Sequence, residues 1–155
     1  MKRRIVVLAA FIIVLAAGSV LLAQDNPFVG TWKLNVASSK YDPGPAPQSQ
    51  TRTWDAEGMV MVNGVGATGK PMSYGYPIKG DGKQYPTMGS VPNTADMIST
   101  KQTDADTIIA SFTKAGKHVE TAIFKLSNGG KTLTINAKGA TDAGAFNNVL
   151  VWDKQ

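Results

Sequence analysis

Beyond residue 4 the chain carries one arginine, Arg52, one histidine, His118, and no cysteine. These facts narrow its chemistry before any fold is considered. Without cysteine there is no thiolate nucleophile, no disulfide and no site for a lipid thioether. A Ser–His–Asp triad would have to use His118, yet no G-x-S-x-G turn occurs, and this histidine stands beside Lys117 next to a turn signal. It is also the one imidazole on offer to a haem. Asp104 and Asp106 in Thr103-Asp104-Ala105-Asp106 look like a fragment of a calcium loop. The glycine and glutamate that should follow are missing, so a turn is expected there. Scattered carboxylates and a single imidazole do not make a metal site. The residue pattern predicts a protein that is not an enzyme and needs neither metal nor other cofactor.

Arg52 shares an alternating run with Gln50 and Trp54. Facing inward from a sheet, its guanidinium could hold a ligand carboxylate through two parallel hydrogen bonds. Facing outward, the more ordinary arrangement, it is a solvated charge. Tyr74, Tyr76, Phe112, Phe124 and Trp152 fall on inward-reading faces of other runs. As core they need no ligand; as cavity walls they suit a small apolar one. An enclosed space of at least about 300 Å³ would support ligand binding, and a packed interior would shift weight to a role in the cell envelope. Tyr85-Pro86 opens the least regular stretch, Tyr85 to Thr94, which reads as a mouth or lid, or as a proline-broken edge strand. Arg52, Trp54, Tyr74, Tyr76, Tyr85, Phe112, Phe124 and Trp152 are thus the candidate cavity or mouth residues.

The elements that must position them read as strands. Thr132 to Lys138 alternates cleanly, with Leu133, Ile135 and Ala137 on one face. Met72, Tyr74, Tyr76 and Ile78 do the same, as do Ile108, Ala110 and Phe112, then Ala122, Phe124 and Leu126, then Phe146, Asn148, Leu150 and Trp152. A period of two argues for sheet with one buried face. Turn signals recur at Glu57-Gly58, Gly66 to Gly69, Gly80-Asp81-Gly82, Asp104 to Asp106, Ala115 to Lys117, Asn128 to Gly130 and Gly139 to Gly144. They predict about ten strands, near 28–35, 49–56, 58–65, 70–79, 83–88, 95–102, 106–114, 118–127, 131–139 and 146–153. Two connections are longer: Val36 to Gln48, stiffened by Pro43, Pro45 and Pro47, and Gly89 to Thr94 with Pro92. An antiparallel meander of this many strands curls, and closing it into a small barrel removes the exposed edges. The expected fold class is all-β.

The first residues are of another kind. Met1-Lys2-Arg3-Arg4 is basic, Ile5 to Ala17 is unbroken apolar sequence, and Val20 to Ala23 completes it after Gly18-Ser19. That is the pattern of a secretory signal, residues 1–23, expected as a helix and cut after Ala23. An uncleaved membrane anchor is the rival, since the stretch approaches the ~20 residues that span a bilayer. Gln24 stands where a lipidated cysteine would, so no lipid anchor is expected. Removing Lys2, Arg3 and Arg4 leaves 13 of the 16 basic residues against 11 acidic ones, and no basic run survives. A nucleic-acid binder needs such a footprint, and its loss excludes that class. Residues 24–155 form one domain of about 130 residues, large enough to bury a core without disulfides. The expected location is the periplasm or the outside of the cell.

Gly30-Thr31-Trp32 lies on the first strand. A G-x-W there, followed by a β-meander, resembles the lipocalin-like, or calycin-type, barrels. The resemblance implies that Trp32 packs across the closed end and that Gly30 permits a close approach. Such barrels place an arginine near the chain end to stack on that tryptophan; here the nearest candidates are Lys154 and Lys138. Asn26-Pro27-Phe28-Val29-Gly30-Thr31-Trp32-Lys33-Leu34-Asn35, Ser39-Lys40-Tyr41, Pro43-Gly44-Pro45-Ala46-Pro47, Asp81-Gly82-Lys83, Tyr85-Pro86, Asn147-Asn148-Val149 and Asp153-Lys154 are similar to a group of small exported bacterial proteins. That similarity covers essentially all of residues 24–155, and the group has no firmly assigned activity. The expected function is binding of a small apolar ligand in the barrel. The alternative is a structural or interaction role in the cell envelope, with no partner indicated. Contact with a membrane would come only through an uncleaved signal segment.

Overall fold

The structure, a computed structural model, describes residues 26–155. The signal segment expected at 1–23, with the helix and cleavage site expected of it, falls outside the described residues. Among the described residues there is no helix; eleven antiparallel strands make one sheet. They are β1 (Gly30–Leu34), β2 (Ser49–Trp54), β3 (Met59–Val65), β4 (Pro71–Pro77), β5 (Asp81–Pro86), β6 (Met88–Gly89), β7 (Met97–Asp104), β8 (Thr107–Lys114), β9 (Lys117–Ser127), β10 (Thr132–Thr141) and β11 (Gly144–Lys154). Each of the ten expected strands is present, and β6 is an additional two-residue element.

The order across the sheet is β5-β7-β8-β9-β10-β11-β1-β2-β3-β4-β6. Its two ends belong to one run of chain. Asp81–Pro86 pairs with β7, and Met88-Gly89 then pairs with β4. That run spans the gap between the outermost long strands, so the meander is a nearly closed barrel. The alternation that defines the strands also sorts their side chains. Inward residues such as Leu133, Ile135 and Ala137, or Ala122, Phe124 and Leu126, are buried.

One expected turn is misplaced. Gly139 lies inside β10, opposite Glu120 on β9 and Phe146 on β11. A Cβ at this position would collide with the Val119 carbonyl, so glycine serves a close strand approach there, not a bend. The turn itself is shorter, because Thr141 pairs with Gly144 around Asp142-Ala143. Asp104 to Asp106 is a turn as expected, with the Asp106 amide donating to Asp104 Oδ1 at 2.9 Å.

One end of the barrel is packed solid. Phe28, Trp32, Leu133 and Trp152 have no exposed surface. Trp32 Nε1 donates to the Phe28 carbonyl at 2.9 Å. Lys154 Nζ sits 5.1 Å from the centre of the Trp32 ring and donates to the Pro27 carbonyl at 2.9 Å. Of the two candidate cations, Lys154 is therefore the one that covers Trp32. Gly30 explains how: at φ 138° it takes a backbone shape side chains rarely adopt, and a Cβ there would stand 2.9 Å from Lys154 Cε.

The Val36 to Gln48 connection is laid along β11. Lys40 exchanges two backbone hydrogen bonds with Val149, and the Asn147 amide donates to the Asp42 carbonyl at 2.7 Å. The prolines follow this paired stretch, where no ladder donor is needed.

Candidate functional site

Above the packed end, the inward residues of six strands and the two long connections surround a cavity of about 110 Å³. Its position follows from side-chain size. Ala110, Ala122 and Ala137 lie directly opposite one another on β8, β9 and β10, and Ala137 faces Asn148 on β11. One level of the barrel wall is therefore built from small side chains, and opposite walls do not meet across it. Below that level, Leu126, Leu133, Trp54 and Trp152 fill the interior. At about 110 Å³ the cavity falls short of the roughly 300 Å³ expected to support ligand binding, and any occupant is limited to a few heavy atoms.

Arg52 is part of the cavity wall and only 2% exposed, so the more ordinary outward reading of this residue is corrected. The cause is register: Gln50, Arg52 and Trp54 are the inward set of β2, and all three are buried. The guanidinium lies over Trp152 at 4.7 Å from the ring centre, with Phe124 at 5.6 Å and Tyr76 at 5.8 Å. Nη1 donates to Tyr76 Oη at 2.8 Å. Nε has no hydrogen-bond partner. Guanidinium carries five N–H donors, so most of its capacity is unspent on the described residues.

The carboxyl among the cavity residues that feels the Arg52 charge is Glu120. Burial pushes its carboxyl up to about 7, against the lowering effects of a hydrogen bond from Asn93 and of the Arg52 charge. Asn93 Nδ2 donates to Glu120 Oε2 at 2.7 Å. Asn93 itself is held by the Ala95 amide, which donates to its Oδ1 at 3.0 Å. Val91 and Asn93 are buried, so the connection after β6 folds into the mouth of the barrel and lines the cavity. Tyr41, on the opposite connection, also lines it, and its hydroxyl has no partner. Burial raises the Tyr41 phenol to about 12 and holds those of Tyr74 and Tyr76 above their usual range, opposed in each case by Arg52. The three remain neutral hydroxyls at physiological pH.

Of the candidate residues read from the sequence, the structure gathers Arg52, Tyr74, Tyr76, Phe112 and Phe124 around this one cavity. Trp152 lies beneath it as the surface on which Arg52 rests. Trp54 does not line it; that ring packs in the closed end, 4.9 Å from Phe28 and 6.1 Å from Phe124. Tyr85 also lies away from it, its hydroxyl donating to Asp81 Oδ2 at 2.7 Å on the exposed side of β5. The irregular stretch therefore divides: its first half is an edge strand and its second half is part of the mouth.

Glu120 was legible and missed. It precedes Ala122, Phe124 and Leu126 on the same alternating face, but a charge near a turn reads as solvated. A register shift falls between Phe112 and Thr113, opposite Val119, and Glu120 follows that bulge. Tyr41 and Asn93 carried no signal, since neither lies on a strand. His118 is exposed and bonded to Thr121 at 2.9 Å. It does not line the cavity.

No protein-family model matches the chain, and no curated protein is similar to it. The architecture is compatible with a lipocalin-like barrel on its own geometry: antiparallel, nearly closed and plugged at one end by a tryptophan under a cation.

Proposed function

We propose that this protein is an exported, non-enzymatic binding module whose barrel holds one small ligand, within the group of lipocalin-like bacterial proteins that its sequence resembles. One observation carries the reading: the interior is filled at one end, yet at the other a cavity of about 110 Å³ is lined by aromatic and aliphatic side chains together with Tyr41, Gln50 and Arg52, each of which has a buried polar atom without a partner, as Trp54 and Trp152 below them also do. Buried polar atoms are normally paired, and a set left unpaired around one space suits a ligand that pairs them. An engineered apolar cavity of about 150 Å³ admits benzene, so this space sets the scale of a ligand of several heavy atoms. The basic start and apolar run of residues 1–23 support export, and the exposed position of His118 away from the cavity supports binding over hydrolysis.

Native mass spectrometry of protein purified from its own host, together with thermal shifts against a library of small molecules, tests the reading. The expected result is a retained or added mass of one small molecule per chain and a raised Tm. Protein that carries nothing and is stabilised by nothing of this size refutes it.

A further inference from the structure

Resting on that reading, we infer that the ligand is a small monocarboxylate with a short apolar tail, bound with its carboxylate toward Arg52 and its tail toward Phe124, Ile135 and Leu150.

The charge argument comes first. A buried cation is costly unless an anion or ordered hydrogen-bond acceptors compensate it. On the described residues Arg52 has one hydrogen bond, from Nη1 to a neutral phenol, and three aromatic faces. Aromatic faces attract a cation but accept no in-plane N–H. A carboxylate supplies two oxygens in the plane of the guanidinium fork, which is the geometry these donors match. Tyr74 and Tyr76, with high-lying phenols on the same wall, add neutral O–H groups and no competing charge.

One cation sets the ligand's charge at one. The groups that titrate or carry charge around the cavity are Arg52 from β2, Tyr74 and Tyr76 from β4, Glu120 from β9 and Tyr41 from the connection before β2. Phe112 on β8, Ile135 and Ala137 on β10 and Asn148 and Leu150 on β11 bring none. A dianion would leave one charge uncompensated in a site this buried. Glu120 is the one group that competes with the ligand for Arg52. Its hydrogen bond to Asn93 also ties it to the mouth, so its ionisation opposes carboxylate entry. Gln50 is also a wall residue, and its Nε2 donates to Met72 Sδ at 3.2 Å.

Size and polarity complete the assignment. A cavity of about 110 Å³ accommodates a branched or short-chain acid of about six heavy atoms. Phe112, Phe124, Ile135 and Leu150 give the wall an apolar part that suits a hydrocarbon tail.

Isobutyrate and its neutral isostere isobutyramide separate the possibilities in calorimetric titrations of the purified protein at pH 6 and pH 8. Isobutyrate is expected to bind about tenfold or more tightly than the amide at pH 6, as loss of a charge-assisted hydrogen bond implies. Arg52→Met, checked for its fold by circular dichroism, abolishes that preference. Glu120→Gln, which keeps an acceptor for Asn93, raises isobutyrate affinity at pH 8 by severalfold more than it alters isobutyramide affinity; this second variant keeps the test open should Arg52→Met fail to fold. Equal binding of acid and amide, or displacement of isobutyrate by chloride at matched concentration, overturns the carboxylate assignment and leaves the ligand-binding reading standing. Failure of acid, amide and the wider small-molecule library together overturns both.

Discussion

At the scale of single residues, Arg52 and Glu120 share a low-dielectric space without forming the close ion pair that would neutralise both. Glu120 binds its proton more tightly in the fold than in the unfolded chain, where its value is about 4.5 against about 7. Between those values the folded state carries the additional proton, so stability falls as pH rises through that window and is fully present only below it. The span corresponds to an effect on the order of a few kcal/mol. Urea unfolding followed from pH 4.5 to 8 should show this decline in the wild type and a flatter profile in Glu120→Gln. Parallel profiles would mean that Glu120 is better solvated than its position indicates. The residue also shows where reading the chain falls short. Alternation places Glu120 inward with Ala122 and Phe124, but charge type argues for solvent, and only the bulge at Val119 and the Asn93 amide show how an inward carboxyl is kept.

At the scale of elements, the cavity is a property of three neighbouring strands that each place alanine at one level. Alanine on an inward face reads as core, and Ala110 and Ala122 are indeed buried. What no single strand reveals is that the three face each other, because that depends on the registers of β8, β9 and β10. Ala137→Leu should fill the space. Stability should hold or rise, since the added methylenes enter an existing void and not a filled core. The thermal shift produced by small molecules should disappear. A destabilisation of about 2 kcal/mol or more would instead place the alanine against a wall with no room to give. Gly139 is the opposite case: a glycine read as a turn proves to be a strand residue, because the signal for close approach and the signal for bending are the same amino acid.

At the scale of the molecule, closure is uneven. β9, β10 and β11 are long and paired on both sides, whereas β6 has two residues and β5 is mostly exposed. The run Asp81–Gly89 closes the barrel by pairing with β7 first and β4 afterwards, so neither neighbour holds it along its length. Local stability follows buried contact and protected hydrogen bonds. Hydrogen exchange should therefore be fastest, among the strands, across β5 and β6, and slowest across β9 and β10. Uniform protection around the barrel would show that the seam is as firm as the rest. The next connection, with Val91 and Asn93, leads from this seam into the cavity mouth, which places the least constrained part of the barrel beside the site.

The sequence alone determined the alternation, and with it the strands, their inward faces and the all-β meander, because a period of two is local and each strand carries it independently. It also nominated the aromatics for the interior, while the resemblance to lipocalin-like barrels pointed to Trp32, Gly30 and a lysine near the chain end for the closed end. Tertiary structure decided which inward residues meet. Trp54 and Arg52 are two positions apart on one face of β2, yet one is packed core and the other cavity wall. Height along the barrel depends on strand registers and on what the opposite wall offers, and those are properties of pairs distant in sequence. The same holds for Glu120, Tyr41 and Asn93, which come to the cavity from a bulged strand and two connections. An inward arginine with unspent donors is therefore a fact of the assembled barrel, although its one candidate residue was visible in the chain from the start.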